Sequence, residues 1–299
     1  MIKEEHISVT QEPAGVYLTH YTPDPAEKGA KPAKQMAKSL YKWLVDHGID
    51  KTLFVAGGDT TPSMSGYKGG MFAHLEKMLN KALFIVMCML HINKLPLRHL
   101  VIGLDGPTSS VTGWTGPIGK ILSQVNKMTR LAAFEPIPQL EPLMVLSDDI
   151  LQSMSTDSSL CYKLVKAAQS GVLDPELANR LVGNLSHSRW LTTGQALLLV
   201  YMSSDHGLED EQIRTLNQIV KWVAQVYFHL FYKIKVQWKI IYGPHHLLTL
   251  LRLYRKQDPV VREVVTPYIK GEAMWAHSES FIDSLLCSSD IVERNFGIS

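Results

Sequence analysis

The sequence predicts an α/β protein with a small sheet and a long helical part, because a strand–helix–strand pattern occupies residues 52–91. Residues 53–56 and 82–87 are apolar runs of strand length. Between them, apolar side chains recur at helical spacing, at Tyr67, Phe72, Leu75 and Leu79. Two strands joined by one helix predict parallel pairing with a right-handed crossover. From Ser147 onward, by contrast, the sequence has helical periodicity and no convincing strand.

Chemically useful side chains stand where the two strands of this unit end. Asp59 follows the first strand and two glycines, and Cys88 follows the second strand. In parallel sheets, ligands bind outside the carboxyl ends of the strands. We therefore expect Asp59 and Cys88 to be neighbours in space.

The segment before this unit predicts a hairpin and one helix. Residues 6–10 and 15–21 carry apolar side chains on either side of turn-forming residues, which is typical of a hairpin. A helix follows Pro32 and ends at Gly48, since proline is favoured at a helix start and glycine just past its end.

The segment after this unit predicts loops and a change of domain. A helix should begin at residues 88–91 and be limited by Pro96. Residues 103–120, rich in glycine and proline, predict a long loop, and residues 134–143, with three prolines, predict a linker. We place a domain boundary at that linker.

Composition bounds the function. The chain has 299 residues, of which 45% are apolar and 19% charged, which excludes a disordered protein. The net charge of +2 means that any nucleic-acid binding must rest on a local patch. No signal peptide is visible, and the longest apolar stretch is about half of what a bilayer crossing needs, so we expect no membrane partner. Three distant cysteines predict a reducing, intracellular location, without a disulfide framework: Cys88, Cys161 and Cys287.

Asp59 has two interpretations. Carboxylates at the end of a buried strand can hold Mg²⁺ in a nuclease-type site, because hard cations bind oxygen ligands. A turn or helix-capping aspartate would look the same in sequence. Near the C-terminus, Glu272, Glu279 and Glu293 are candidate further carboxylates, although Glu279 also suits the first turn of a helix.

Cys88-x-x-His91 has three interpretations. It could be half of a zinc site, but no second pair stands at a suitable spacing, so we expect no zinc. It could be a buried thiol beside a histidine at the edge of the core. In the third interpretation, His91 orients a carboxylate of the site.

The loop at residues 103–120 is not a nucleotide-binding P-loop. The residue five positions before Gly119 is Trp114 rather than glycine, and Ile121 rather than serine or threonine follows Lys120. Contact of Lys120 with a phosphate backbone and a plain surface loop both remain open.

Two further segments have a composition suited to nucleic acid. Residues 212–257 contain eight Lys and Arg, among them Lys233, Lys235 and Lys239, and no Asp or Glu, with eight aromatic residues interleaved. A helix pair with a basic solvent face and a buried aromatic face fits equally well. Arg189-Trp190 could hold a phosphate and stack on an extruded base, or it could be a packed tryptophan beside a paired arginine.

The chain resembles a transposase of the hAT-like group in four features that occur in the same order. They are a strand-end acid, Cys88-x-x-His91, Arg189-Trp190 and an acid in a C-terminal helix. Longer blocks, at residues 91–100, 104–108, 116–120 and 186–193, look like transposon-related animal proteins. The similarity covers nearly the whole chain.

The resemblance implies an incomplete RNase H-like mixed-sheet core at residues 1–135. It also implies a large all-α insertion at 136–271 and a C-terminal helix at 272–299 that returns to the core. Members of the group use two Asp and one Glu to hold two Mg²⁺ ions for DNA strand cleavage and transfer. By this resemblance Asp59 is the second Asp and Glu279 the Glu. Cys88 and His91 support the site, and Trp190 stabilises a flipped base.

The sequence departs from that pattern in one respect that matters for activity. The first Asp should lie on a strand ahead of the hairpin, yet no Asp precedes Asp24. We therefore expect a truncated, domesticated or degenerate relative, nuclear and DNA-binding, without full strand-transfer activity. A residual Mg²⁺-dependent nuclease and a non-enzymatic protein-interaction module are the alternatives, and a homo-oligomer is a further candidate assembly.

Overall fold

The structure, a computed structural model, describes residues 6–11, 15–22, 32–58, 61–110, 113–185, 190–237, 243–271 and 285–298. The chain forms two compact units. The first unit comprises residues 1–92 with two short later segments, and the second unit comprises most of residues 93–299. The division follows Ile92, so the linker predicted at residues 134–143 lies inside the second unit.

The hairpin predicted near the start of the first unit is confirmed. Strands β1 (Ile7–Gln11) and β2 (Val16–Tyr21) pair antiparallel, with Ile7 opposite Tyr21. The register shifts between Val9 and Thr10, which marks a bulge. The connecting turn uses Gly15 at a positive φ of 64°.

The parallel strand–helix–strand unit is also confirmed. Strand β3 (Val55–Gly58) pairs parallel with β4 (Phe84–Met87), from Val55 opposite Phe84 to Gly58 opposite Met87. Helix α3 (Met71–Leu79) forms the crossover, preceded by the single turn α2 (Pro62–Ser65). Among the described residues, the two pairs of strands form separate two-stranded sheets.

Helix α1 (Pro32–Asp46) and helix α3 form the core of the first unit. The buried apolar residues of this core are Ala37, Leu44, Met71, Phe72, Leu75 and Leu83. Within α1 these residues lie on one face, as the predicted amphipathic pattern requires. Gly48, at a φ of 68°, follows the end of α1 as expected.

Described residues of the second unit form helices, joined by irregular segments. The helices are α4 (Met89–Asp105), α5 (Pro117–Ile121), α6 (Asp148–Ser153), α7 (Thr156–Ser170), α8 (Pro175–Ala178), α9 (Leu191–Tyr201), α10 (Asp210–Trp222), α11 (Phe228–Gln237), α12 (Gly243–Arg255), α13 (Pro259–Gly271) and α14 (Ile291–Ile298). The first turn of α4 belongs to the first unit. Only isolated β-bridges occur among the described residues of the second unit, so the protein is a mixed α/β protein, as predicted.

The prediction that Pro96 limits the helix after Cys88 is wrong. Helix α4 continues through Pro96 to Asp105. A proline removes one backbone hydrogen bond from a helix, but packing can outweigh that loss. Here Leu97, Leu100 and Val101, all fully buried, hold the second half of the helix in the core.

Helices α10 and α11 form one rod with a π-helical segment, Val223–Tyr227, between them. The amide of Phe228 donates to the carbonyl of Val223, five residues earlier. The side-chain amide of Asn93, in α4, donates to the carbonyl of Tyr227 at 2.9 Å. This contact ties the π-helical segment to α4.

The predicted linker at residues 134–143 is packed against α7. The amide of Phe134 donates to the carbonyl of Gly171 at 2.9 Å, and the amide of Ile137 donates to Ala168 at 2.8 Å. Ile137 itself is 1% exposed. The hydrogen bonds of this segment therefore fix it to the helical unit.

No helix in the described part of the chain is both long enough and apolar enough to cross a bilayer.

Candidate functional site

The carboxyl ends of β3 and β4 meet in the first unit. The amide of Cys88 donates to the carbonyl of Gly58 at 2.7 Å, continuing the parallel ladder one residue past β4. Asp59 follows Gly58 directly and lies outside the described residues. The expectation that the two strand ends are neighbours is therefore confirmed at Gly58 and Cys88, and the position of the Asp59 carboxylate stays a prediction.

Cys88 also begins helix α4. Its carbonyl accepts hydrogen bonds from the amides of His91 and Ile92, at 2.9 and 3.0 Å. Cys88 is half-buried and its thiol forms no disulfide, and His91 is half-buried one turn along the helix. Both residues thus follow the carboxyl end of β4 within one helical turn.

Several predicted site residues lie outside the described part of the chain: Arg189, Lys239, Glu272 and Glu279, in addition to Asp59. In the described part, no group of three or more His, Cys, Asp or Glu side chains could hold a metal ion. The proposed Mg²⁺ ligands, Asp59 and Glu279, are both outside it.

Trp190 is a core residue of the second unit. Its side chain is 1% exposed, and its ring meets that of Trp114 edge to face, with 5.6 Å between centroids. Trp190 precedes α9 with a φ of 53°, a conformation that bulky residues rarely adopt. The packed-tryptophan interpretation describes this arrangement, and an extruded base would have no exposed ring face to stack on.

The predicted loop at residues 103–120 is shorter than expected and is closed by a carboxylate. Helix α4 extends to Asp105 and α5 begins at Pro117. The Asp105 carboxylate accepts hydrogen bonds from the amides of Ile118 and Gly119, both at 2.8 Å. Burial raises the pKa of Asp105, and the two amide donors oppose that shift. These two backbone amides therefore already donate hydrogen bonds within the protein and are not free for a phosphate, whereas Lys120 is exposed.

Two glycines allow this closure. A Cβ on Gly116 would overlap the backbone carbonyl and the carboxyl group of Asp105, and a Cβ on Gly119 would lie 2.6 Å from the ring of Trp114. The glycines that suggested a phosphate-binding loop therefore allow the backbone to pack closely around Asp105 and Trp114.

Four of the eight basic residues at positions 212–257, Lys233, Arg252, Arg255 and Lys256, pair with carboxylates from elsewhere in the second unit. Arg252 contacts Glu293 at 2.8 Å and Arg255 contacts Asp290 at 2.7 Å. Absence of acids within the stretch therefore does not make it a free cationic surface. Among its basic residues, Arg214, Lys221 and Lys235 are exposed and make no ion pair with a described residue.

The described aromatic rings of the same stretch are buried. They are Trp222, Tyr227, Phe228, Phe231, Tyr232 and Tyr254. Trp238 and Tyr242 lie outside the described residues. The interpretation as amphipathic helices with a buried aromatic face is therefore the one that the described rings support, and these rings are not available for stacking on bases.

Sequence reasoning missed a charged cluster around Glu141, which lies in the supposed linker. Lys233 and Lys256 approach its carboxylate at 3.8 and 3.7 Å, and Nε2 of His229 lies at 3.9 Å. Burial and the nearby Lys233 together lower the pKa of His229 to about 4, although Glu141 opposes the shift. His229 is therefore neutral near pH 7, and no local sequence signal links residues so far apart.

Glu293 holds the C-terminal helix and is not free to bind a metal. Its side chain is 3% exposed, and its carboxylate accepts two hydrogen bonds from Arg252 and one from Ser288. The Arg252 hydrogen bonds are the main reason that the pKa of Glu293 is lowered. Of the three candidate C-terminal acids, this one joins α14 to α12.

The chain matches no protein-family model, no curated protein and no solved structure. Of the predicted site residues that the structure describes, Cys88 and His91 fall in the first unit. Lys120, Trp190, Lys233 and Lys235 fall in the second unit. Evidence for function therefore comes from the residues of each unit taken separately.

Gly116→Ala should destabilise the second unit by about 1–3 kcal/mol, because the added Cβ overlaps the backbone of Asp105, which cannot rotate away. The midpoint of urea unfolding followed by circular dichroism measures the loss. Gly183→Ala is the matched control, since its Cβ would make only ordinary contacts, the nearest at 3.8 Å. Equal midpoints for the two variants would show that the Asp105 closure is not rigid.

Glu293→Gln should lower stability at pH 7 by roughly 1–3 kcal/mol, because it removes the charge that Arg252 pairs with. The folded-state pKa of Glu293 is depressed, so its contribution is present above its unfolded value of 4.5 and is lost as pH falls through the folded value. Urea midpoints measured from pH 7 to pH 3 should therefore converge for the wild type and the variant at acid pH. A constant difference across that range would contradict this assignment.

Proposed function

We propose that this protein is a transposase-derived, DNA-binding protein whose first unit is an incomplete RNase H-like core. The observation that carries the proposal is the hydrogen bond between Gly58 and Cys88. It supports a single sheet edge at which the acid Asp59 and the Cys88-x-x-His91 pair begin. Their order in the chain is the order in which the hAT-like resemblance requires them.

The carboxyl edge of a parallel sheet offers side chains to a ligand. Side chains that follow parallel strands converge outside the carboxyl ends, where there is no further strand to cover them. A polynucleotide is bound mostly through its phosphates, which need donors and cations rather than a deep apolar pocket. Helix α1 of the same unit supplies cations, because Lys34, Lys38 and Lys42 are exposed on it.

We propose binding without full strand transfer for this chain alone. The resemblance requires three metal-binding carboxylates, and the sequence offers candidates for two, Asp59 and Glu279. Two-metal catalysis depends on both ions being held, so the loss of one carboxylate should nearly abolish it. From the same resemblance we propose a nuclear location.

The full chain should bind duplex DNA at low salt. Fluorescence anisotropy of a labelled 30-base-pair duplex, titrated at 50 mM salt with Mg²⁺ or Mn²⁺, should show saturable binding. Raising the salt to 200 mM should weaken that binding at least tenfold, because phosphate contacts release counterions. A globular protein of the same net charge, +2, serves as the control. No binding at 50 mM salt would remove the proposal.

A residual metal-dependent nuclease is the second candidate, favoured by the attachment of Asp59 to the sheet edge at Gly58. Any cleavage of plasmid DNA in Mn²⁺ should disappear in Asp59→Ala and Glu279→Ala. It should persist in the control Asp149→Ala, which changes an exposed acid of α6. Cleavage that persists in Asp59→Ala would identify a contaminating enzyme.

A further inference from the structure

Helix α1 carries a row of exposed lysines, Lys34, Lys38 and Lys42, which we name the lysine stripe. The opposite face of α1 is buried against the core of the first unit through residues such as Ala37 and Leu44. Residues four apart lie on the same side of a helix, about 6 Å apart along its axis. The stripe therefore spans about 12 Å on the solvent side.

The lysines of the stripe have no carboxylate partner among the described residues. In the part of the chain that the structure describes, none of them makes an ion pair, in contrast to Lys233 and Lys256 of the second unit. The only acid in α1, Asp46, lies one turn beyond Lys42 and forms no ion pair with it. No described carboxylate therefore neutralises the stripe, which is an exposed cationic surface.

This arrangement opposes the stability of α1. Like charges four residues apart in a helix repel one another, and a cation in the first turn, such as Lys34, is unfavourable at the positive end of the helix dipole. An anionic ligand that lies along the helix would relieve both effects. An extended polyanion bound along the stripe would therefore stabilise α1 by neutralising its lysines, which no described residue of the chain does.

We propose that the lysine stripe contacts the phosphate backbone of duplex DNA. The inference rests on the proposed DNA-binding function and names the surface that carries it. Phosphates of one strand recur about every 3.4 Å along the duplex axis, so a row of flexible point charges about 12 Å long reaches several of them. The exposed face contains one sizeable apolar residue, Val45, too few for the apolar centre of a protein interface.

The test compares two variants from which equal charge has been removed. Lys34→Gln/Lys38→Gln/Lys42→Gln removes the stripe, and Lys127→Gln/Lys163→Gln/Lys166→Gln removes three exposed lysines of the second unit. Duplex binding of the full chain is measured by anisotropy between 50 and 200 mM salt. For the stripe variant, the slope of log K against log salt should fall by about 2.7, at 0.9 for each lost phosphate contact. The second variant should change the slope by less than about 0.9, the value for one phosphate contact.

Circular dichroism should show that the stripe variant is folded and at least as heat-stable as the wild type, because the substitutions relieve repulsion. If the wild type binds DNA and the stripe variant keeps the wild-type slope, the proposal that the stripe contacts DNA is wrong while the proposed function stands. Equal decreases of the slope in both variants would show that DNA is held by general electrostatic attraction, and would also contradict the proposal for the stripe. Absence of binding by the wild type would remove both proposals.

Discussion

The parallel pairing of β3 and β4 is the constraint on which the first unit depends. The crossover helix α3 must pack on one side of the two strands, and the buried residues Phe72 and Leu75 hold it there. Gly58 permits this contact, because a Cβ there would approach the side chains of Met64 and Phe72 to about 3 Å. The same pairing fixes the sheet edge at Gly58 and Cys88, to which the candidate metal ligand Asp59 is attached.

The second unit shows how the meaning of a basic residue depends on its neighbours. Arg252 and Arg255 belong to a stretch without acids, yet the C-terminal helix and the turn before it supply Glu293 and Asp290 to them. In α1 of the first unit, the lysine stripe has no such partners among the described residues. A count of charges along the sequence therefore overestimates the free cationic surface, because carboxylates from any part of the chain can pair with basic residues.

Three carboxylates of the second unit likewise make structural contacts. Asp105 closes a loop through two backbone amides, Glu141 gathers two lysines, and Glu293 holds α14. Each replaces water around a charged or polar group that would otherwise be buried or partly buried without a partner.

The sequence by itself determined the hairpin, the parallel strand–helix–strand unit and the helical character of the chain from Ser147 onward. These features depend on periodicity and connection length within a few tens of residues. Only the tertiary structure decided that α4 passes through Pro96 and that Trp190 and the described aromatic rings of residues 212–257 are buried. It also decided that Glu141 and Glu293 pair with distant cations. Those outcomes depend on contacts between residues far apart in the chain, such as Arg252 and Glu293, and no local pattern encodes which distant side chain will be the partner.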